Sequence, residues 1–316
     1  MRVLLSRPLT AEVEARARAE FDVEIRSSTA VMSADEMHRA LVEFDVVMPT
    51  LGDGFDAGVF STAPDPRCKL LANFGVGYNH IDVAAAMAAG IEVTNTPGAV
   101  TDATADIAMT LMLMSARRAS EGERLVRSGQ WQGWHPTQFL GQHLSGKHVG
   151  IVGMGRIGQA IARRCHFGFG MKVSYLARSA KELDFEAKRA ESLLQIAADV
   201  DVLVTAVPGG AETRHMIDGE VLAAMRPWAH LINIARGEVV DEAALTAALQ
   251  AGQIAGAGLD VYEFEPEVPQ ALMALNNVSL LPHLGTATEE VRSNMGNMVL
   301  DNIAAFAAGQ KLPNPV

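Results

Sequence analysis

Short apolar, β-branched runs recur along the whole chain, each followed by an Ala/Glu/Arg-rich stretch of helical character, and no other feature restricts the fold so tightly. The first group reads RVLLS (2–6), FDVEIR (21–26), FDVVMP (44–49), LLANFG (70–75) and IEVTNTP (91–97). The second reads HVGIVG (148–153), MKVSYLA (171–177), VDVLVTAVP (200–208), HLINIA (230–235), GAGLDVY (256–262) and VSLLPHL (278–284). Strands that alternate with helices pair in parallel through right-handed crossovers, and helices then cover both faces of the sheet. Five strands, a break and six more predict an α/β protein with two doubly wound parallel-sheet domains. At 316 residues, 49% of them hydrophobic, the chain is long enough to give each domain its own core.

The break between 98 and 147 holds a helical pattern from about Thr101, then SGQWQGWHPTQFLGQHLSGK (128–147). Trp131 and Trp134, two of the three tryptophans, lie in this loop-like segment. It reads either as a cap over the domain junction or as an arm at a subunit interface, where aromatic residues are enriched. After the last strand, GTATEEVRSNMGNMVLDNIAAFAAGQ (285–310) predicts one helix that packs back on the first domain.

A net charge of −11 argues against a nucleic-acid backbone or an anionic membrane as a general partner, so an anionic ligand needs a local positive site. The opening MRVLLSRPLT reads directly as a strand rather than a signal peptide, and IAMTLMLMSA (107–116), the longest apolar stretch, is too short to span a bilayer. Met109, Met112 and Met114 within it read as core or interface filling. Cys68 and Cys165 have neither metal nor disulfide spacing, which suits a reducing cytosol. His143 and His148 straddle a loop-to-strand junction, and no metal site is expected. No G-x-S-x-G elbow and no basic-aromatic stripe is present. The expectation is a soluble cytoplasmic protein.

The strand at 148–153 runs into Gly153-x-Gly155-x-x-Gly158 and then a helix. The first glycine permits a tight turn, the second lets backbone approach a pyrophosphate, and the third permits close helix–strand packing. The diphosphate then meets free N–H groups at a helix N-terminus. A carboxylate that reads the ribose should follow about 20 residues on, at the tip of the next strand. Ala177 stands there (177 − 158 = 19), followed by Arg178 and Ser179. With no carboxylate to repel it, a 2′-phosphate can accept hydrogen bonds from the Arg178 guanidinium and the Ser179 hydroxyl. NADP(H) is therefore favoured as cofactor, with NAD(H) possible.

Three further residues follow the C-terminal ends of strands in this half, where doubly wound folds form their ligand crevice: Arg236, Glu265 and His283. Together they suit reduction of a 2-oxo acid. Arg236 can clamp the substrate carboxylate as a planar fork. A protonated His283 can give its proton to the carbonyl oxygen as hydride arrives at carbon. Glu265 can orient His283 and pair with its charged form. Taken singly, each also reads as a surface arginine, a solvated acid or a satisfied histidine.

Around these residues the chain resembles the D-isomer-specific 2-hydroxyacid dehydrogenase family, and within it the glyoxylate/hydroxypyruvate reductases. The likeness spans nearly the whole chain: NFGVGYNHIDV (73–83), TDATADIAMTLML (101–113), VGIVGMGRIG, VTAVP, NIARGEVVDEAAL, GLDVYEFEP and LPHLGTAT. The spacings agree as well, with 265 − 236 = 29 and 283 − 265 = 18. The resemblance implies that Arg236, Glu265 and His283 are catalytic and that the backbone of Val76 and Gly77 binds the substrate carboxylate. It implies cofactor contacts at Arg156, Ile157, Val207, Pro208 and Asp260, with Thr104 and Thr213 at weaker contact positions. Leu51 falls where a loop of the substrate domain faces the reacting carbon.

The resemblance also implies why the glycine motif begins mid-chain. A Rossmann dinucleotide-binding domain (98–284) is inserted into a flavodoxin-like substrate domain that begins at 1–97 and is completed by the C-terminal helix (285–316), and the two domains enclose the substrate. The segment near 120–146 becomes a dimerisation arm, with Trp131 or Trp134 as a residue that reaches the partner site in a homodimer. Many family members carry Asp where Ala177 stands. Asn79-His80 replaces a commoner Asp-Asn, with His80 read as structural, and Asp106 replaces a frequent Glu. The chain is thus expected to reduce glyoxylate or hydroxypyruvate. Its rivals are an NAD-linked D-2-hydroxyacid dehydrogenase for a bulkier acid and a dinucleotide-sensing binding protein of the same fold.

Overall fold

The period-two pattern of the first five runs sorts their side chains onto opposite faces of a single sheet. In the computed structural model, which describes residues 1–316, these runs form β1 (Arg2–Leu5), β2 (Asp22–Ile25), β3 (Val46–Met48), β4 (Leu70–Ala72) and β5 (Glu92–Thr94). All pair in parallel, in the order β2-β1-β3-β4-β5. Leu4, Val47 and Leu71 point to one core with Met37, Leu41, Phe44 and Phe55. Val3, Leu5, Val46, Met48, Leu70 and Ala72 point to a second core with Val13 and Ala17. Residues 46–48 are wholly buried on both faces, and each such side chain contributes roughly 1.5–3 kcal/mol.

Local signals fix the helices of this unit. The Ala34–Glu43 helix starts at a capping box, with the Glu36 amide donating to Ser33 Oγ and the Ser33 amide to Glu36 Oε2. It buries Met37, Ala40 and Leu41, spaced three and four residues apart. The C-terminal helix, Glu289–Ala307, lays Val299, Leu300 and Ile303 on the second core. Beyond it Pro315 bridges Thr94 antiparallel, and the Val316 amide donates to Val93 O at 3.0 Å. Met1–Val100 and Thr286–Val316 thus make one compact unit, and Thr101–Gly285 makes the other.

The second unit holds seven strands rather than six: β6 (His148–Val152), β7 (Lys172–Leu176), β8 (Lys188–Arg189), β9 (Val202–Thr205), β10 (His230–Asn233), β11 (Gly256–Leu259) and β12 (Val278–Leu280). The order is β12-β11-β10-β9-β6-β7-β8, again all parallel. The added strand, β8, is two residues long and carries no apolar side chain, so hydropathy does not register it. The strand order reverses between β6 and β9, and such a switch point opens the ligand crevice of doubly wound sheets. Helices Thr101–Ala116 and Arg156–Arg163 cover one face. Helices Leu193–Asp199, Gly219–Ala224 and Glu242–Gln250 cover the other.

The helical pattern from Thr101 breaks at Arg118, whose φ of 53° is left-handed, and resumes as Ala119–Arg127. Residues 128–147 contain no regular element. Met109 and Met112 are buried core residues, as are both thiols, and burial pushes Cys68 and Cys165 up to about 12. No helix is long and apolar enough to cross a membrane.

Candidate active site

The switch point carries the glycine motif. Gly153 adopts a φ of 101°, and a Cβ there would lie 2.5 Å from Ala206 O, so only glycine fits between β6 and the end of β9. A Cβ on Gly158 would lie 2.1 Å from Gly153 O, which shows how closely the following helix approaches the turn. A Cβ on Gly155, by contrast, would meet nothing within 4 Å beyond its chain neighbours. Gly155 is the N-cap of the Arg156–Arg163 helix and brings no capping side chain, so the first amides, including those of Arg156 and Ile157, stay available to an anion. A tight turn, open space and uncapped amides in that order fit a dinucleotide pyrophosphate.

At the tip of β7, Arg178 and Ser179 are exposed. Two cations that hydropathy and motif reading pass over join them. Arg189, on β8, donates from Nη2 to Ala177 O (3.0 Å) and Arg178 O (3.1 Å), and Lys181 Nζ donates to Ser179 Oγ at 3.3 Å. Three cations and a hydroxyl thus gather at the tip of β7. Past β9, Val207 is half-buried and Pro208 exposed, while Thr213 Oγ1 donates to Pro208 O at 2.7 Å and closes that loop.

The next three strands, β10, β11 and β12, are neighbours, and their C-terminal ends carry the other candidates. Asn233 knots the turn after β10: its Oδ1 accepts from Thr205 Oγ1 (2.7 Å) and the Ala235 amide (3.0 Å), and its Nδ2 donates to Arg236 O (2.9 Å). Arg236, half-buried, donates from Nη1 to Ala235 O at 2.7 Å. Burial lowers its pKa while Glu265 and Glu238 oppose the shift, and a guanidinium stays charged through such a change.

His283 and Glu265 meet directly, with Nδ1–H donating to Oε2 at 2.8 Å. The other carboxylate oxygen accepts from the Tyr262 amide at 3.0 Å. Burial alone would raise the Glu265 carboxyl. The hydrogen bond and charge of His283, the Tyr262 amide and the charge of Arg236 outweigh it, and the net shift is downward. His283 sits at a φ of 54°, a left-handed conformation uncommon for a residue with a Cβ. Asp260 holds that backbone: its O accepts from the His283 amide (2.9 Å), and its two carboxylate oxygens accept from the Leu284 (2.7 Å) and Gly285 (2.8 Å) amides. Thr104 Oγ1 donates to Gly285 O at 3.1 Å. Asp260 and Thr104, expected beside the cofactor, thus direct their polar atoms to the His283 loop.

In the first unit, the turn at Val76 and Gly77 is shaped by two asparagines. Asn73 Nδ2 donates to Gly75 O and Gly77 O, and Asn95 Nδ2 donates to Val76 O. His80 Nε2 pairs with Asn73 Oδ1 at 3.1 Å. With the carbonyls held by these amides, the N–H groups of Val76 and Gly77 find no acceptor within the protein. Leu51, half-buried, follows Thr50 in a loop built on buried Asp53, which accepts from Ser6 Oγ (2.6 Å) and the Thr50 (2.9 Å) and Met32 (3.0 Å) amides. Asn73, Asn95, Asp53 and Asn233 are polar and isolated in sequence. Only the folded chain reveals what they hold.

The family model for the D-isomer-specific 2-hydroxyacid dehydrogenase NAD-binding domain matches residues 109–285. The chain belongs to the D-isomer-specific 2-hydroxyacid dehydrogenase family. Among these dehydrogenases it is 43% identical to a glyoxylate reductase of Thermococcus onnurineus, across 100% of this chain and 95% of the relative. It is 45% identical to a glyoxylate reductase of Thermococcus kodakarensis, across 95% and 91%. The NADPH-dependent glyoxylate/hydroxypyruvate reductase of Sinorhizobium meliloti, solved with NADP and malonate, superposes with a TM-score of 0.86 at 38% identity, across 100% of this chain and 96% of that one.

Proposed function

We propose that this dehydrogenase reduces small 2-oxo acids, glyoxylate and hydroxypyruvate foremost, to D-2-hydroxy acids, favours NADPH, and uses Arg236, Glu265 and His283 as its catalytic residues. The observation that carries the reading is the 2.8 Å hydrogen bond from His283 Nδ1 to Glu265 Oε2, at neighbouring strand ends that also present Arg236. A bound nicotinamide dinucleotide supplies the hydride to the carbonyl carbon. Glu265 takes the Nδ1 proton of His283 in a hydrogen bond, so Nε2 is the atom that holds a proton for the developing alkoxide oxygen. Arg236 offers a planar fork to a carboxylate, and its burial strengthens that attraction. In the first unit, the amides of Val76 and Gly77 suit a carboxylate, and Leu51 suits a small substituent.

The NADPH preference is supported by Arg178, Ser179, Lys181 and Arg189 around a strand tip that lacks an acid. A homodimer is supported by apolar exposure along the arm, where Trp134 is 80% and Leu140 67% exposed. Two reduced, buried thiols suit the cytosol.

Initial rates with NADPH and NADH, crossed against glyoxylate, hydroxypyruvate, pyruvate and phenylpyruvate, test the proposal. Glyoxylate and hydroxypyruvate with NADPH should give the highest kcat/KM, and His283→Ala should lower kcat by at least ~100-fold. Dinucleotide binding without turnover, indifferent to His283→Ala, would point to a sensor instead.

A further inference from the structure

The backbone at Tyr262 and Glu263 is held from three sides. The Tyr262 amide donates to Glu265 Oε1 (3.0 Å), and the Glu263 amide donates to Glu242 Oε1 (2.8 Å). Gly237, the residue after Arg236, lies so close that a Cβ on it would fall 1.7 Å from the Tyr262 carbonyl carbon. The turn that carries Glu265 is thereby wedged against the turn that carries Arg236. Glu242 is 5% exposed and belongs to the helix that follows this second turn.

The Glu263 side chain extends the arrangement in another direction. It is 8% exposed, and its Oε1 accepts from Arg214 Nη2 (2.6 Å) and His215 Nε2 (2.8 Å). Arg214 and His215 directly follow Thr213, in the segment that begins with Val207 and Pro208. The same segment is tied to the Arg236 turn, with the Gly210 amide donating to Glu238 Oε1 (2.8 Å) and the His215 amide to Glu238 O (2.7 Å). A carboxylate this buried needs the Arg214 guanidinium and the His215 N–H, because removing the cation leaves an uncompensated charge. Burial, with the charges of Glu263 and Glu265 beside it, raises the neighbouring Glu242 carboxyl, while the Glu263 amide opposes the shift.

We propose that Glu263 is a positioning residue: through Arg214 and His215 it fastens the cofactor-side segment 207–215 to the turn that presents Glu265, so the orientation of His283 depends on it. It touches no reacting atom, and the inference rests on the proposed roles of Glu265 and His283. Losing the tie lets the turn relax and lengthens the 2.8 Å His283–Glu265 bond, which should appear in kcat rather than in the KM of the 2-oxo acid.

The test compares Glu263→Ala, Glu263→Gln, Arg214→Ala and the Glu263→Ala/Arg214→Ala double variant in NADPH-dependent glyoxylate reduction, with NADPH binding followed by fluorescence. Glu263→Ala should lower kcat about 5- to 20-fold with glyoxylate KM changed less than twofold, and weaken NADPH binding several-fold. Glu263→Gln, whose amide oxygen still accepts from both donors, should recover kcat to within about threefold. The double variant should be no worse than Glu263→Ala alone, since both act through one contact. Arg214 is exposed, so its variant reports the same kcat loss even if Glu263→Ala fails to fold. Unchanged kcat in Arg214→Ala and Glu263→Ala, a Glu263→Gln variant as impaired as Glu263→Ala, or multiplying losses in the double variant would overturn the proposal. A His283→Ala control with full kcat would instead overturn the catalytic reading on which it rests.

Discussion

Two residues allow the chemistry and the stability of this fold to be probed separately. Arg178 is exposed at the tip of β7, while Arg189 reaches the same tip by holding the carbonyls of Ala177 and Arg178. Arg178→Ala should therefore raise the KM for NADPH by about 10-fold and leave NADH nearly unchanged, the loss of one charge-assisted contact to phosphate. Arg189→Ala should affect both dinucleotides, because it frees the strand tip itself, and equal effects of Arg178→Ala on the two cofactors would remove the phosphate reading. His230 works elsewhere: it is 5% exposed, and its Nδ1 lies 2.8 Å from Ser115 Oγ. Burial lowers its pKa to about 4. The unfolded chain binds that proton near pH 6.5, so the stability from a neutral His230 is full above that pH and is lost as pH falls towards 4. The loss should reach about 2 kcal/mol at pH 5. Urea unfolding of the protein and His230→Gln between pH 7.5 and 5 measures it, and the variant should give the flatter curve.

At the scale of elements, two helical glycines make opposite forecasts. Gly122, in the Ala119–Arg127 helix, has nothing within 4 Å of the point a Cβ would occupy, so Gly122→Ala should stabilise by roughly 0.5–1 kcal/mol through helix propensity alone. Gly296 lies in the C-terminal helix where a Cβ would approach Val13 Cγ1 to 2.6 Å. There the overpacking, about 1–3 kcal/mol, outweighs the propensity gain, and Gly296→Ala should lower the thermal midpoint. Neither outcome is visible in the sequence, where both are glycines among good helix formers. The strands were legible because burial on both faces demands apolar runs, yet the runs overshoot at their C-terminal ends. VDVLVTAVP yields a strand only at 202–205, and GAGLDVY only at 256–259, because Val207, Val261 and Tyr262 pack within the loops that shape the crevice. Arg236, Glu265 and His283 stood out in the sequence through the family resemblance, whose motifs and spacing they match. Asn233, Asp53, Glu242 and Glu263 were not, since a lone polar residue acquires its partner only when distant turns close together.

At the scale of the whole molecule, the chain leaves its first unit at Thr101 and returns after Gly285, and Thr104 Oγ1 bonds Gly285 O where the excursion begins and ends. An excursion closed in this way lets the inserted unit keep a core of its own. It leaves one feature unaccounted for within a single chain. Val126, Trp131, Trp134 and Leu140 are 58%, 51%, 80% and 67% exposed along one continuous stretch. Monomers rarely expose so many large apolar side chains together, and the C-terminal end of the stretch is anchored, with the Gln142 amide on Ala116 O at 2.8 Å and Gln142 Nε2 on Trp228 O at 2.6 Å. In the proposed homodimer this anchored apolar arm would be buried against a second copy, with Trp131 and Trp134 as the anchor residues that dominate such interfaces. Sedimentation should therefore give a dimer. Trp131→Ser/Trp134→Ser should shift the equilibrium towards monomer by about 100-fold or more in Kd, since exposed tryptophans contribute to the unit fold far less than to an interface. Far-UV circular dichroism should remain that of the parent protein, and a wild-type chain that sediments as a monomer at micromolar concentration would end the argument.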